Sequence, residues 1–234
     1  MQQTSEKYKR IARGTYNSRG KVIIDGTEYT EAQLYSISTK RNVFGKDNPC
    51  VGSCYAGEIS ISFKEPPVNI SRMAVILPYV QIYNSTEASE WIQKGEFFID
   101  TRSTDEDTDK LLIQGYDAML KAEAPYPAST MAWPAKDAAV LREIAQAMGV
   151  MIDARTWDMI PSAGSYNIPL PAQYTMREVL GYIAGMYGGN FIINDFGDLQ
   201  LIALNGLPEE TNLLISESGS YITFGGLRIK LRRS

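Results

Sequence analysis

An α+β fold is what this sequence predicts: a β-barrel-like, strand-rich domain carrying an inserted small α+β subdomain of helix, loop, helix and hairpin. Three observations predict it. Through the first half, apolar residues recur at every second position between turn residues, the mark of half-buried strands. A proline-rich stretch then breaks the pattern. Beyond it the apolar period becomes that of amphipathic helices and ends in another alternating pair. Residues 1–125, completed by 205–234, form the expected strand-rich domain, and 133–204 the inserted subdomain.

The elements follow in order. "KVIIDGTEYT" reads as a strand meeting Asp25-Gly26, a strong hairpin turn signal. "AQLYSISTKRNVF" alternates in part. "GEISISFKEPP" alternates at Ile59, Ile61 and Phe63 and stops at Pro66-Pro67. "RMAVILPYVQIYN" is a strand expected to be interrupted at Pro78. "GEFFIDTRS" and "DKLLIQGYD" make a last pair. Many short strands separated by turns suit a barrel or rolled sheet. Pro125, Pro127 and Pro134 in "KAEAPYPASTMAWPAKD" then call for an extended connection, because proline neither donates to a ladder nor sits inside a helix.

In "DAAVLREIAQAMG", Val140, Leu141, Ile144, Ala145 and Met148 share one helical face, with Asp137 as expected N-cap and Gly149 as stop. "TMREVLGYIAGMYGG" repeats the plan. Thr175 and Glu178 have the capping-box spacing, Val179, Leu180, Ile183 and Ala184 make the inner face, and Gly188-Gly189 end the helix. Phe191–Ile193, a turn at Asp195–Asp198 and Leu199–Leu204 read as a hairpin. "SYITFGGLRIKLRRS" supplies one or two final strands that return toward the first domain.

Composition limits the chemistry. The chain has 234 residues, 44% hydrophobic and 21% charged, which is enough apolar material for a sizeable core. A net charge of −4 argues against a general nucleic-acid binder, which needs a concentrated basic surface; the basic cluster "LRIKLRRS" is short. Histidine is absent, so Ser-His-Asp and Cys-His nucleophile arrangements and the usual His-ligated zinc sites are out. The start lacks the apolar stretch of a secretory signal, and no apolar run reaches the roughly 20 residues that span a bilayer, so a chain made and folded in a cytoplasm is expected.

Candidate sites are few. Asp100, Asp105, Glu106, Asp107 and Asp109 cluster between two strand patterns. A calcium loop would need glycine at its sixth position and glutamate at its twelfth. "DTRSTDEDTDKL" has neither, so a solvated hairpin tip is the better reading. Cys50 and Cys54 flank a glycine turn. Two thiolates do not complete a zinc site; a disulfide over so short a loop is open to them but strained, and the favoured reading is two small half-buried residues. The scattered glycines fit no phosphate-binding pattern and read as turns and helix ends. Tyr79, Tyr83, Tyr116, Tyr126, Tyr166 and Tyr174 offer the large, polar-tipped area that interfaces favour, and the long loop "RTWDMIPSAGSYNIPLPAQY" suits contact-making. No catalytic, cofactor-binding or metal-binding residue is assigned.

Two motifs carry a resemblance. Gly95, Phe97 and Ile99, followed by Ile113, Asp117 and Met119, resemble a paired-strand segment of tailed-bacteriophage (prophage) baseplate-hub and tail-tip proteins. Thr175, Arg177, Glu178, Leu180, Ile183, Ala184, Gly188 and Ile192 resemble the inserted subdomain that follows the first barrel in that family. The resemblance covers roughly residues 55–230. It implies barrel domains packed about a threefold axis, a ring that continues the tail tube, partners such as tail tube, distal tail or tape-measure protein, and no cofactor or catalytic residue. The chain departs from the family where larger hub proteins continue with more strands beyond "GGLRIKLRRS". Two other classes stay open. A carboxylate-based cell-wall hydrolase would need two acids roughly 5–10 Å apart across a cleft. A carbohydrate-binding adhesion module would need a groove lined by Trp91, Trp133 or Trp157.

Overall fold

The computed structural model describes residues 4–44, 50–64, 70–71, 73–104, 110–203, 223–224 and 227–228. A short helix, α1 (Glu6–Ala12), opens the chain; the sequence reading placed no element there. Strands β1 (Asn17–Ile24), β2 (Thr27–Tyr29), β3 (Leu34–Lys40), β4 (Glu58–Phe63), β5 (Val75–Tyr83), β6 (Ile92–Gln93), β7 (Phe97–Thr104) and β8 (Leu111–Tyr116) follow. They form one antiparallel sheet in the order β2-β1-β5-β7-β8-β4-β3, with β6 paired to β5.

Local chemistry explains the strands. Asp25 and Gly26 both take positive φ, 46° and 81°, the geometry that lets a two-residue turn match the strand twist. Ile59, Ile61 and Phe63 point inward as expected, with Val22, Ile24, Ile76, Phe97, Ile99 and Ile113. The expected interruption at Pro78 does not occur. β5 runs through it, opposite Val22 on β1. The Pro78 carbonyl accepts the Lys94 N–H at 2.8 Å. The return bond is the one proline cannot make, and β6 pairs with β5 only at Tyr79 and Val80.

Among the described residues the expected barrel is not closed. β2 and β3 are the two ends of an open sheet, and no ladder joins them among the described residues. The sheet is nevertheless rolled. Tyr29 of β2 meets Phe63 of β4 edge-to-face, centroids 5.4 Å apart, although these strands lie near opposite ends of the order. A Cβ on Gly20 of β1 would lie 3.3 Å from Ile37 Cδ1 of β3. The ends are held together by this side-chain packing and by the short connection between β2 and β3, in which Leu34 N–H donates to Thr30 O at 2.9 Å.

A 3-10 helix at Ala118–Glu123 leads into the proline-rich connection, which holds neither helix nor strand and makes one isolated bridge, Pro125 to Thr175. Then come β9 (Ala135–Lys136), α2 (Asp137–Met148), β10 (Asn167–Ile168), α3 (Met176–Met186), β11 (Gly189–Ile193) and β12 (Leu199–Ala203). β9 pairs with β10, and β11 with β12. Thr175 and Glu178 form the capping box, and Gly149 ends α2 in the left-handed conformation at φ 68°. Asp137 is not an N-cap. It is the first helical residue, fully buried, and its carboxylate accepts from Ser165 N–H (2.9 Å) and the Tyr187 hydroxyl. This lobe has its own core, made by both helices, the 3-10 helix and the β11–β12 hairpin around Met119, Leu141, Ile144, Leu180, Ile183 and Phe191. Short strands β13 (Thr223–Phe224) and β14 (Leu227–Arg228) pair with each other.

Candidate functional site

The motif residues turn out to be fasteners. Gly95 has φ 136°, and a Cβ there would lie 2.4 Å from the Phe97 ring, so glycine is required where the chain passes from β6 to β7. Asp117 leaves β8 with 1% exposure. Its Oδ2 accepts the Gly57 N–H at 2.7 Å and its Oδ1 the Met119 N–H at 3.0 Å, while its own N–H donates to Gly57 O at 3.0 Å. Burial outweighs these bonds and pushes the carboxyl up to about 6. Arg177 on α3 links the two motifs. It donates to Met119 O at 3.0 Å and pairs with Glu123 at 2.8 Å.

Between β3 and β4 the chain leaves the sheet and lies on the helical lobe. Fully buried Asn190 of β11 pins it there. The Asn190 side chain donates to Val43 O and Cys50 O, both at 2.8 Å, and accepts from Ser53 N–H at 2.9 Å. Gly52 N–H donates to Gly189 O, and Phe191 N–H to Ser53 O. Gly52 approaches α3 so closely that a Cβ on Gly181 would lie 2.7 Å from Gly52 O. Helix-interior Gly181 is therefore a contact glycine, neither a turn nor a helix end. The hairpin end of the lobe meets the sheet side through Arg41 and Asp195 at 2.7 Å.

This docking leaves a groove of about 860 Å³ between Cys50–Tyr55 and the outer face of α3, with Arg177, Tyr182 and Met186 on its far wall. A second depression of about 290 Å³ lies on the other side of Tyr182 and Met186, against Leu170 and Tyr174. Val51, Tyr55, Leu170, Tyr174, Tyr182 and Met186 are all large, apolar and exposed, Tyr182 to 59%. Tyr174 and Tyr182 stack edge-to-face at 5.5 Å, which fixes both rings without covering them. The arrangement offers contact area and little free polar chemistry. Glu178 is occupied with Thr175, and Arg177 with Glu123 and Met119.

The other sequence candidates disperse. Asp100 is the exposed residue that a bulge in β7 leaves unpaired. The strands flanking the acidic cluster pair as a hairpin up to Thr104 opposite Leu111, whereas Asp105, Glu106, Asp107 and Asp109 lie outside the described residues. Among the described residues no group of three acids or cysteines is placed to hold a metal ion. Asp153 is held down at about 2, chiefly by Arg155, and shares the Asn194 amide with Asp198, a turn-stabilising network. Cys50 and Cys54 are both free thiols. Cys50 is exposed, while burial pushes Cys54 up to about 12, far from a reactive thiolate. The tryptophans do not share a groove. Trp91 lies under Arg19 and Lys21 on the sheet, whereas Trp133 and Trp157 pack on the helical core. Of the tyrosines singled out, Tyr126 is buried, Tyr79, Tyr83 and Tyr116 are half-buried, and Tyr166 and Tyr174 are exposed. Tyr182 was missed. Its position opposite the inner face of α3 was the available signal.

No family model matches the chain, and no curated protein matches it either. Solved structures do. The 43 kDa tail protein of prophage MuSo2 from Shewanella oneidensis aligns with a TM-score of 0.51 at 10% identity, covering 81% of this chain and 56% of that one. The tail protein from Neisseria meningitidis MC58 aligns with a TM-score of 0.53 at 11% identity, covering 79% of this chain and 50% of that one. The chain thus spans about half the length of these proteins and is similar to them in fold.

Proposed function

We propose that the chain is a non-enzymatic structural protein of a bacteriophage tail, forming part of the hub or baseplate ring that extends the tail tube. One observation carries the reading: the fold likeness to two tail proteins over about four fifths of the chain. In this reading the strand-rich domain, residues 1–125 completed by 205–234, closes as a barrel and builds the ring, and 133–204 braces it. The packing of Tyr29 on Phe63 across the open sheet supports closure. Its partners are copies of itself, threefold in the form the resemblance implies, and tail tube, distal tail or tape-measure protein. Its place is the virion tail, after synthesis in the host cytoplasm. The exposed Leu170, Tyr174, Tyr182 and Met186 on and beside α3 support a role made of contacts, since clustered exposed apolar side chains mark interaction surfaces.

The test is light scattering on the purified chain at high concentration, followed by electron microscopy with tail tube protein. Rings, alone or on the tube, are expected. A monomer in both experiments sinks the reading. Turbidity loss on peptidoglycan, abolished by replacing a carboxylate, would move the chain to the hydrolase class instead.

A further inference from the structure

We propose that the outer face of α3 is a self-recognition surface, on which two copies of this chain pair about a twofold axis, the ridge of each lying in the groove of the other. Glu178, Tyr182 and Met186 follow one another at four-residue spacing on α3 and make the ridge. Beside it run Gly181 and Gly185. They have no side chains, so the groove of about 860 Å³ opens there, with Gly52 seated along them. Tyr182 and Met186 also line the depression of about 290 Å³ on the other side. A ridge with a groove next to it fits a copy of itself rotated by half a turn, and every contact is then made twice.

Charge, area and order single out a second copy as the occupant. Among the described residues, the charged side chains lining the two depressions are Arg177 and Glu178. Their charges cancel, and they are engaged with Glu123 and Thr175. Two such faces meet without repulsion although each chain carries −4, and they offer a charged partner little to recognise. Val51, Tyr55, Leu170, Tyr174, Tyr182 and Met186 are 38–59% exposed. At about 150–250 Å² per large side chain they present roughly 550 Å². Two copies bury roughly 1,100 Å², just past the roughly 1,000 Å² that a specific contact needs. A contact of that size makes a weak dimer, with Kd on the order of 10 µM. Tyr174 and Tyr182 already hold each other edge-to-face at 5.5 Å, so little side-chain freedom is lost when a partner covers them. The pairing does not rest on the tail reading: it joins two copies and is separate from any ring.

Sedimentation equilibrium of the full chain and of two charge variants tests it. Wild type is expected to pass from monomer at about 1 µM to mostly dimer at about 200 µM. Tyr182→Arg and Tyr182→Glu should each stay monomeric, because like charges then face each other across the axis. An equimolar mixture of the two should dimerise again, which only a face that meets its own copy can do. A wild type that is monomeric at about 200 µM overturns the proposal. So does self-association of any order that the single variants retain, and so does a mixture that stays monomeric.

Should the variants not fold, Cys50 is a native probe, because its exposed thiol lines the groove that the second ridge fills. Its alkylation by excess iodoacetamide should slow about fivefold between about 1 µM and about 200 µM wild-type protein, and an unchanged rate refutes the pairing.

Discussion

In the rolled sheet the inward residues are apolar almost throughout, whereas Asp117, Asp137, Thr156, Asn190 and Asn194, all buried and polar, belong to the helical lobe or its joint. The difference lies in how each region satisfies its backbone. Strands pair their N–H and C=O groups in ladders, so the sheet calls on few buried polar side chains, Gln81 for Ser89 O and Ser89 Oγ for Ile82 N–H. The lobe holds long irregular segments against two helices, and ladders do not reach them. Buried side chains do that work: Asn190 for the groove wall, Thr156 Oγ1 for Leu201 N–H at 3.0 Å, and Asn194 Oδ1 for Phe196 and Asp198 N–H. Substitutions in the sheet should therefore act through cavities, and those in the lobe through unmet hydrogen bonds.

The largest expected effect is on the sheet side. Phe63 is fully buried and props β2 against β4. Phe63→Ala should cost about 4 kcal/mol in urea unfolding, through lost burial plus the cavity left behind. The lobe counterpart is Asn190→Leu. It keeps the approximate volume but strands Val43 O, Cys50 O and Ser53 N–H. About 3 kcal/mol should be lost. If Asn190→Leu proves neutral while Phe63→Ala is severe, the distinction between the two regions collapses.

A pair of glycines sharpens the contrast within one helix. Both Gly181→Ala and Gly185→Ala should gain about 1 kcal/mol of helix propensity. At Gly181 the new methyl would meet a backbone oxygen at 2.7 Å, whereas at Gly185 the nearest neighbour, Gly52 Cα, is 3.9 Å away. Gly181→Ala should be destabilising by about 1–2 kcal/mol net, and Gly185→Ala stabilising by about 0.5–1 kcal/mol. Opposite signs one turn apart, read from thermal midpoints, are the expected outcome. Equal signs would mean that Gly52 does not seat on α3 as described.

The same contrast explains what could be read from the sequence. Alternation at Ile59, Ile61 and Phe63, the Asp25-Gly26 turn and the Thr175–Glu178 capping box are local signals, and the structure has each. The sheet order was not local. β1 finds β5 and β4 finds β8 across intervening strands, so an open roll and a closed barrel look alike in the sequence. Asp137 was misread because its partners, Ser165 and Tyr187, lie 28 and 50 residues away. Gly181 drew no reading of its own, because Gly52, which needs its missing side chain, is in another part of the chain. The candidate site was the least legible feature. Its groove exists only once the segment after β3 crosses onto α3.

The smallest effect on stability should come from the face that matters most for the proposed function. Tyr182 and Met186 are exposed on the outer side of α3 and support no core residue, so Tyr182→Ser with Met186→Ser should change unfolding by no more than about 0.5 kcal/mol. Both side chains line both depressions, and removing them takes the apolar ridge out of the groove wall. If assembly runs through this face, the double variant should stay folded and lose self-association or binding to tail proteins in light scattering and pull-down. Unchanged assembly with unchanged stability would confine the contacts to the rolled sheet and leave the α3 face outside the interface. A large loss of stability would be the more damaging result, because it would show that the ridge is packed rather than presented.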